Sequence, residues 1–165
     1  MLLRKTTTQD LDAVEQILND AKASMKASGI DQWQDGYPNK EVVAQDIKNE
    51  EAYVVEIDGG VFASCMISIR KEASYDYIEG AWLNLDPCIV IHRIATKKEA
   101  LSKGVATYCI EQAFALFPTY KNIKIDTHPD NKRMQAFLAK NGFIHCGTIY
   151  LDDGGLRLAF QKSIS

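Results

Sequence analysis

The sequence predicts an α+β domain in which helices pack on a mixed, mostly antiparallel sheet. Two segments rich in aspartate and glycine, at residues 58–60 and 152–155, separate apolar runs and are typical of β-hairpin turns. A third apolar run, at residues 88–95, leads through a polar loop into an amphipathic helix. The strand after that helix is expected to lie parallel to the first. The predicted order of elements is β-α-α-β-β-β-α-β-α-β-β.

Length and composition are those of an ordinary globular protein. The chain has 165 residues, of which 46% are hydrophobic and 25% charged, so it can bury a sizeable core. No repeat or linker divides it, and we expect a single domain spanning residues 1–165. The net charge of −3 offers no basic surface for nucleic acid. No apolar run has the length of a membrane span, and residues 1–8 lack a signal-peptide core, which predicts a cytoplasmic protein without a membrane partner.

The cysteines indicate neither disulfides nor a metal site. They are scattered, lie in apolar surroundings and form no C-x-x-C pair, which predicts buried thiols. The four positions are Cys65, Cys88, Cys109 and Cys146.

The first elements are a short strand at residues 2–5 and a helix that ends near Gly29. Thr6, Thr7 and Thr8 are N-cap candidates, and acidic residues follow them at the positive end of the helix dipole. Apolar residues then recur at helical spacing, which predicts packing against the core. These residues are Leu11, Val14, Leu18, Ala21 and Met25.

A turn-rich segment at residues 29–38 carries two large aromatic side chains, Trp33 and Tyr37. Two interpretations remain open for them. They either close the edge of the core or line a substrate pocket, whose walls are usually apolar. Asn39 is expected to cap a second short helix that extends to Lys48.

Strands at residues 52–57 and 61–69 form the first hairpin, and a long polar connection follows at residues 70–87. This connection contains Tyr75, Tyr77, Glu79 and Trp82. We expect it to lie beside the same pocket as Trp33.

The strand at residues 88–95 and the helix at residues 105–117 form the central unit of the chain. Gly104 lets the backbone approach a ligand closely at the helix start, and Val105 and Ala106 add little bulk. The first amides of a helix lack partners and the helix dipole is positive there, so the pattern suits a phosphate or pyrophosphate. The alternative is that Gly104 only forms a tight turn.

Three further elements complete the chain. A strand is expected at residues 122–127, and Asp130 or Asn131 caps a helix that ends near Asn141. Gly142 fits a left-handed C-cap, with Phe143 packing back onto the helix. Strands at residues 144–150 and 156–162 form the terminal hairpin.

This order of elements, the central glycine and the segment DTHPDNKRMQAFLAKNGF resemble the GNAT superfamily of acetyl-CoA-dependent N-acetyltransferases over essentially the whole chain. The resemblance implies the layered α/β/α acyl-CoA N-acyltransferase fold, with a mixed central sheet and helices on both faces. The family's [R/Q]-x-x-G-x-[G/A] loop, whose amides hold the coenzyme A pyrophosphate, corresponds to residues 101–106. Gly104 and Ala106 fit the pattern, whereas Leu101 replaces the usual Arg or Gln. Lys103 is placed to supply compensating charge.

The resemblance also implies which residues bind acetyl-CoA, with coenzyme A as the product. The strand before the loop pairs with pantetheine through its main chain, as an added strand does. A second block, residues 131–143, matches the family at Asn131, Lys140, Gly142 and Phe143, and Asn131 as a simple helix cap is the alternative. The implied cofactor-binding residues are Ile94, Ala95, Thr96, Leu101, Ser102, Lys103, Gly104, Val105, Ala106, Thr107, Asn131 and Lys140.

The catalytic groups are less well defined, because two positions depart from the family. Val90 stands where many relatives carry a glutamate base, and Leu138 replaces the tyrosine that often protonates the leaving thiolate. A thiol with a pKa of about 8.5 is a tolerable leaving group without such an acid. His92 is the nearest titratable group on the central strand, with a hydrogen-bonded core histidine as the alternative. Glu79 is the second candidate base.

The expected acceptor is a small-molecule amine or a peptide amino terminus. Substrate-binding candidates are Trp33, Tyr37, Tyr77 and Trp82. A homodimer is common in the family, so it is a possible assembly. The competing function is a non-catalytic domain of the same fold that binds or senses acyl-CoA. A nucleotide-binding protein of another class is disfavoured, because no GxxxxGK[ST] motif is present.

Overall fold

The computed structural model of the protein describes all residues from Met1 to Ser165. Its helices are α1 (Leu11–Ala27), α2 (Lys40–Lys48), α3 (Val105–Leu116) and α4 (Lys132–Lys140). Its strands are β1 (Leu2–Lys5), β2 (Ala52–Ile57), β3 (Gly60–Ser68), β4 (Glu79–Gly80), β5 (Ile89–Thr96), β6 (Asn122–Thr127), β7 (Ile144–Tyr150) and β8 (Leu156–Ser163). The predicted order is confirmed, with the two-residue strand β4 as an addition.

The strands are hydrogen-bonded in the order β1-β2-β3-β5-β6-β8-β7-β4. Strands β5 and β6 are parallel, as the connecting helix predicts, whereas β1–β2, β2–β3, β6–β8, β7–β8 and β4–β7 are antiparallel pairs. The predicted mixed, mostly antiparallel α+β fold is therefore confirmed. None of the helices combines the length and the apolar character that a membrane crossing needs.

The chain divides into two compact units, each built from two segments. The first unit comprises Met1–Ile67 and His92–Leu116, and the second comprises Ser68–Ile91 and Phe117–Ser165. Strand β5 contributes residues to both. The expectation of a single domain stays a prediction.

The core of the first unit lies where α1 and α2 pack on β2 and β5. Its buried members are Val14, Ile17, Leu18, Val43, Val54 and Ala95. The α1 residues among them share one face of the helix, as the spacing predicts. Asn39 caps α2 as expected, because its side-chain oxygen accepts from the amide of Val42 at 3.0 Å.

The second unit is built on β6, β8, β7 and β4. Tyr75, Val90, Ile149 and Ala159 form a buried cluster in it. The end of α4 is the predicted one: Gly142 has φ +83°, and the amide of Phe143 donates to the carbonyl of Leu138 at 3.0 Å.

All four cysteines are free thiols. Cys65 and Cys109 are buried in the first unit, and a hydrogen bond with Cys109, together with burial, raises the pKa of Cys65 well above its usual value. Cys88 and Cys146 are only half-buried, which the sequence did not predict. Cys146 lies at an irregularity in the pairing of β7 with β8, between His145 and Gly147.

A charged cluster fixes the start of α1. The Arg4 guanidinium donates to both oxygens of Asp10, at 2.8 and 3.0 Å, and to Glu56 at 2.7 Å. Asp10 also accepts from the amide of Thr7 at 2.7 Å. The hydrogen bonds from Arg4, followed by those from Thr7, lower the pKa of Asp10 from 3.8 to about 2. Ionised Asp10 therefore stabilises the folded state.

Asp10→Asn is expected to lower the free energy of unfolding by about 2 kcal/mol at pH 7, because the folded state has the lower pKa. This contribution is complete above the unfolded value near pH 4 and is lost as the pH falls toward 2. Denaturant unfolding of wild type and variant between pH 7 and pH 3 measures the difference. The control is Asp31→Asn, since Asp31 is an exposed aspartate outside this cluster. A difference that stays constant with pH contradicts the assignment.

Candidate functional site

Main-chain hydrogen bonds anchor the loop before α3. The amide of Lys97 donates to the carbonyl of Phe62 at 2.7 Å, and the amide of Ala100 donates to the carbonyl of Lys97 at 2.9 Å. Ser102 and Gly104 have φ of 64° and 80°. Both lie in the left-handed region, which glycine tolerates and serine rarely adopts. The loop thus turns sharply into the helix.

The first amides of α3 make no hydrogen bond to a side chain of the protein. The first main-chain bond that crosses into the helix is from Tyr108 to Gly104, at 2.9 Å. A Cβ atom on Gly104 would meet nothing within 4 Å, so the space beside Gly104 is open. Of the amides from Lys103 to Thr107, that of Lys103 has a partner within the chain, the carbonyl of Ala100 at 3.3 Å.

The starts of α2 and α4 have side-chain caps, whereas the N-cap residue of α1, Asp10, makes no capping bond. Asn39 caps α2, and Asn131 caps α4 by accepting from the amide of Met134 at 3.1 Å. Four amides at the positive end of a helix can hold an anion, so the start of α3 fits a phosphate or diphosphate group. Lys103 is exposed beside it and Leu101 is half-buried.

The residues of β5 that were predicted to pair with a ligand lie directly before this loop. Ala95 is buried in the core of the first unit, whereas Ile94 and Thr96 are half-buried. His92 precedes them and is also half-buried.

Arg93 has an unusual backbone for a strand residue. Its φ is 53°, and no other non-glycine residue within a strand has a positive φ. A bulky residue in this region carries a strain of about 1–3 kcal/mol. Its side chain is almost completely enclosed and forms an ion pair with Asp46 of α2 at 2.5 Å.

The same guanidinium holds the segment that carries the predicted aromatic residues. Arg93 Nη1 donates to the Tyr37 hydroxyl at 2.7 Å, and the guanidinium carbon lies 5.9 Å from the centre of the Tyr37 ring. Trp33 packs against the core cluster of the first unit, as the first of its two interpretations predicts. Its role in a pocket stays a prediction.

Sequence reasoning missed the pairing of Arg93 with Asp46. Asp46 reads as a polar residue of an amphipathic helix, yet it is buried and lines a small cavity with Ser64 and Met66. Burial raises the pKa of Asp46 above its ordinary value, although Arg93 opposes this effect. The only available signal was an arginine within an apolar strand, which needs a buried partner.

In the second unit, Glu79 lies on the exposed strand β4. Its carboxylate accepts a hydrogen bond from the Tyr150 hydroxyl at 3.1 Å, which raises the pKa of Tyr150. Tyr77 is 65% exposed and close enough to Tyr150 to contribute to that shift. The result is an exposed carboxylate beside two phenol rings, an arrangement that can bind an ammonium group.

Trp82 packs against the core of the second unit. Its indole nitrogen donates to the carbonyl of Tyr75 at 3.0 Å, its ring packs on that of Tyr75, and Lys124 Nζ lies 4.2 Å above it. Tyr75 is buried and donates to Asp126 at 2.7 Å. Burial, followed by Asp126, raises the pKa of Tyr75 well above its usual value. The Tyr75–Asp126 bond was another contact that the sequence did not indicate.

The remaining predicted positions also lie in the second unit. Asn131 is the cap of α4, and Lys140 is exposed in the last turn of that helix. Leu138 and Val90 are buried, at 0% and 2% exposure. No group of three or more His, Cys, Asp or Glu side chains is placed to hold a metal ion.

Two glycines fix β4 against β7. Gly80 pairs with Gly147, and their φ values are 128° and 153°. A Cβ on Gly147 would overlap the carbonyl oxygen of Glu79, and one on Gly80 would overlap that of Cys146. Glycine is therefore required at both positions, and the close approach sets where Glu79 lies.

Comparisons with known proteins agree on one family. A model of the acetyltransferase (GNAT) family matches residues 11–143. The chain is 32% identical to a GNAT-family acetyltransferase from Streptococcus agalactiae 2603, with a TM-score of 0.91 over 99% of this chain and 95% of that chain. A search among curated proteins finds no match.

Two more distant structures share the fold alone. A GNAT-family acetyltransferase from Listeria monocytogenes 4b F2365 is 20% identical, with a TM-score of 0.73 over 99% of this chain and 94% of that chain. The ribosomal-protein-alanine N-acetyltransferase from Brucella melitensis is 18% identical, with a TM-score of 0.68 over 99% of this chain and 100% of that chain.

Gly147→Ala is expected to lower the free energy of unfolding by about 1–3 kcal/mol more than Gly154→Ala, because only the first substitution forces two backbones apart. Gly154 is the matched control: its φ is +85° and a Cβ there meets nothing within 4 Å. Denaturant unfolding of both variants measures the difference. Equal losses of stability would show that β4 moves aside without cost.

Proposed function

The chain belongs to the acetyltransferase (GNAT) family, and from this premise we propose that it transfers an acetyl group from acetyl-CoA to a primary amine. Membership of the family implies acyl transfer from acetyl-CoA. The acceptor proposed is a small-molecule amine or a peptide amino terminus. The observation that carries the proposal is the open, uncapped start of α3.

The residues that would hold acetyl-CoA follow from this start. The amides of residues 104–107 would bind the diphosphate, with Lys103 adding positive charge. Ile94, Ala95 and Thr96 would pair with pantetheine through the main chain of β5. Asn131 and Lys140 are proposed as further contacts, although the Asn131 side chain also caps α4.

The proposed reaction is direct transfer. The amine nitrogen attacks the thioester carbonyl carbon, so the C–N bond forms and the C–S bond breaks. The bonding pair leaves on sulfur, and the nitrogen gives up one proton. Holding the amine and the thioester in a near-attack geometry would supply much of the rate enhancement. Main-chain N–H groups of β5 would stabilise the oxyanion.

His92 is the first candidate for the proton acceptor. An amine with a pKa near 10.4 is mostly protonated at neutral pH, so a base or the small neutral fraction is needed. An imidazole titrates in the required range. Glu79 is the second candidate, and its carboxylate, unlike an ordinary surface glutamate, already shares a hydrogen bond with Tyr150.

The acceptor is proposed to approach the exposed aromatic residues. Tyr77 and Glu79 would receive its ammonium group by cation–π and charge attraction. In the first unit, Tyr37 is proposed as a separate acceptor contact, and Trp33 would support the segment that carries Tyr37. Trp82 stays a proposed acceptor contact, and its ring also packs on Tyr75 and lies below Lys124 Nζ.

A second function is favoured by one observation. Val90 and Leu138, which stand where many relatives carry a base and an acid, are both buried apolar side chains. A domain that binds acyl-CoA without turning it over would tolerate such replacements. Release of free thiol from acetyl-CoA across a panel of amines separates the two functions: the enzyme releases thiol with at least one amine, and the sensor with none.

Acetyl-CoA at about 100 times its dissociation constant is expected to raise Tm by roughly 5–10 °C, since such binding stabilises a protein by about 2.7 kcal/mol. ATP and NAD should have little effect.

Gly104→Ala should weaken acetyl-CoA binding about tenfold, because the left-handed backbone and the added methyl group disturb the amides. Gly29→Ala is the matched control, with φ +71° and nothing within 4 Å of its Cβ. Stabilisation by ATP but not acetyl-CoA would refute both functions.

His92→Ala is expected to lower kcat by about 10²–10⁴-fold with little change in acetyl-CoA affinity, because a general base acts on the chemical step. The pH dependence of kcat/KM should lose its acidic limb. Glu79→Gln should instead raise KM for the amine, if its carboxylate binds the ammonium group. If the acidic limb of the pH profile remains in His92→Ala but is lost in Glu79→Gln, Glu79 is the base and His92 is not.

A further inference from the structure

The ion pair between Arg93 and Asp46 is an unexpected feature of the first unit. Both side chains are nearly inaccessible, at 13% and 12% exposure, and the guanidinium nitrogen lies 2.5 Å from the carboxylate oxygen. Removing two charges from water is costly, and apolar residues of similar size often replace such a pair without loss of stability. Stability alone is therefore a poor explanation for this pair.

The position of the pair in the fold suggests another purpose. Arg93 is the strand residue with the left-handed backbone, and residues 94–96 follow it directly. The direction in which the main-chain groups of residues 94–96 point depends on that backbone, because a change of φ at Arg93 rotates everything after it. The side chain that fixes φ at Arg93 thus fixes the direction of the segment.

Two residues from different parts of the unit hold that side chain. Asp46 comes from α2 and Tyr37 from the segment before it, and the two accept from different nitrogens of the same guanidinium. A planar fork with fixed donor directions can meet both partners at once, which a lysine cannot do. Asp46 is in turn held in a buried setting beside Ser64 and Met66.

We propose that Arg93 is a positioning residue: its bonds to Asp46 and Tyr37 hold the left-handed backbone in β5 that aims the main chain of residues 94–96. The inference rests on the proposed function, in which residues 94–96 align the pantetheine and the thioester. It also links two sides of the reaction, because Tyr37 belongs to the segment proposed to face the amine. Movement of that segment would change the conformation of the strand that aligns the thioester.

The test separates positioning from stability. The double variant Asp46→Leu with Arg93→Met replaces the pair by apolar side chains and is expected to keep Tm within about 5 °C of wild type. Amide hydrogen exchange of residues 94–96, measured by mass spectrometry without ligand, should become at least about tenfold faster. In the transfer assay KM for acetyl-CoA should rise at least about tenfold, since small misplacements of a reacting group are costly.

The matched control is the exposed pair between Lys40 and Asp12, which lies in the same unit at 2.6 Å. Asp12→Asn with Lys40→Met should leave both exchange and KM unchanged. If the double variant at Asp46 and Arg93 does not fold, the Tyr37→Phe variant tests the proposal instead. This substitution removes only one partially exposed hydroxyl. About two- to fivefold faster exchange at residues 94–96 in Tyr37→Phe would support the proposal.

Unchanged exchange of residues 94–96 in a folded double variant, or in Tyr37→Phe when the double variant does not fold, overturns the inference. This readout needs no acetyl-CoA and is independent of catalysis. A failure of the proposed function has a different signature, namely a wild-type protein that neither binds nor consumes acetyl-CoA. The two failures are therefore distinguishable.

Discussion

The uncapped amides at the start of α3 are the feature on which the functional account depends. Asn39 and Asn131 each accept from one of the first amides of α2 and α4, whereas α3 has no side-chain cap. A missing cap costs about 1 kcal/mol, and the proposed function gives these amides an external anion as their partner. The buried residues Ala100 and Val105 anchor the loop on both sides, and the positive φ of Gly104 shapes the turn between them.

Strand β5 connects the proposed anion site to a second constraint. Its residues precede the loop that leads to α3, and Arg93 within it combines a strained backbone with a buried ion pair. A strained residue persists only where surrounding contacts determine its conformation, and such residues concentrate at functional sites. The contacts of Arg93 with Asp46 and Tyr37 hold Arg93 in this conformation.

Local patterns predicted the elements well, because turn residues, caps and apolar periodicity act over a few residues. Asn39, Gly142 and the parallel pairing of β5 with β6 all follow from such patterns. Strand β4 was missed, since a two-residue strand has no periodicity. The partners of Arg93 and Tyr75 were missed because Asp46 and Asp126 are 47 and 51 residues away in the chain. The open amides were predictable in position, but their lack of a partner is a tertiary property.

The most direct measurement is an NMR titration of ¹⁵N-labelled protein with coenzyme A. The account predicts that the amide signals of Gly104, Val105, Ala106 and Thr107 shift most, with downfield proton shifts typical of bonds to an anion. Adenosine, which lacks the diphosphate, should leave these signals in place. Saturable binding of coenzyme A that leaves the signals of residues 104–107 unmoved would contradict the account.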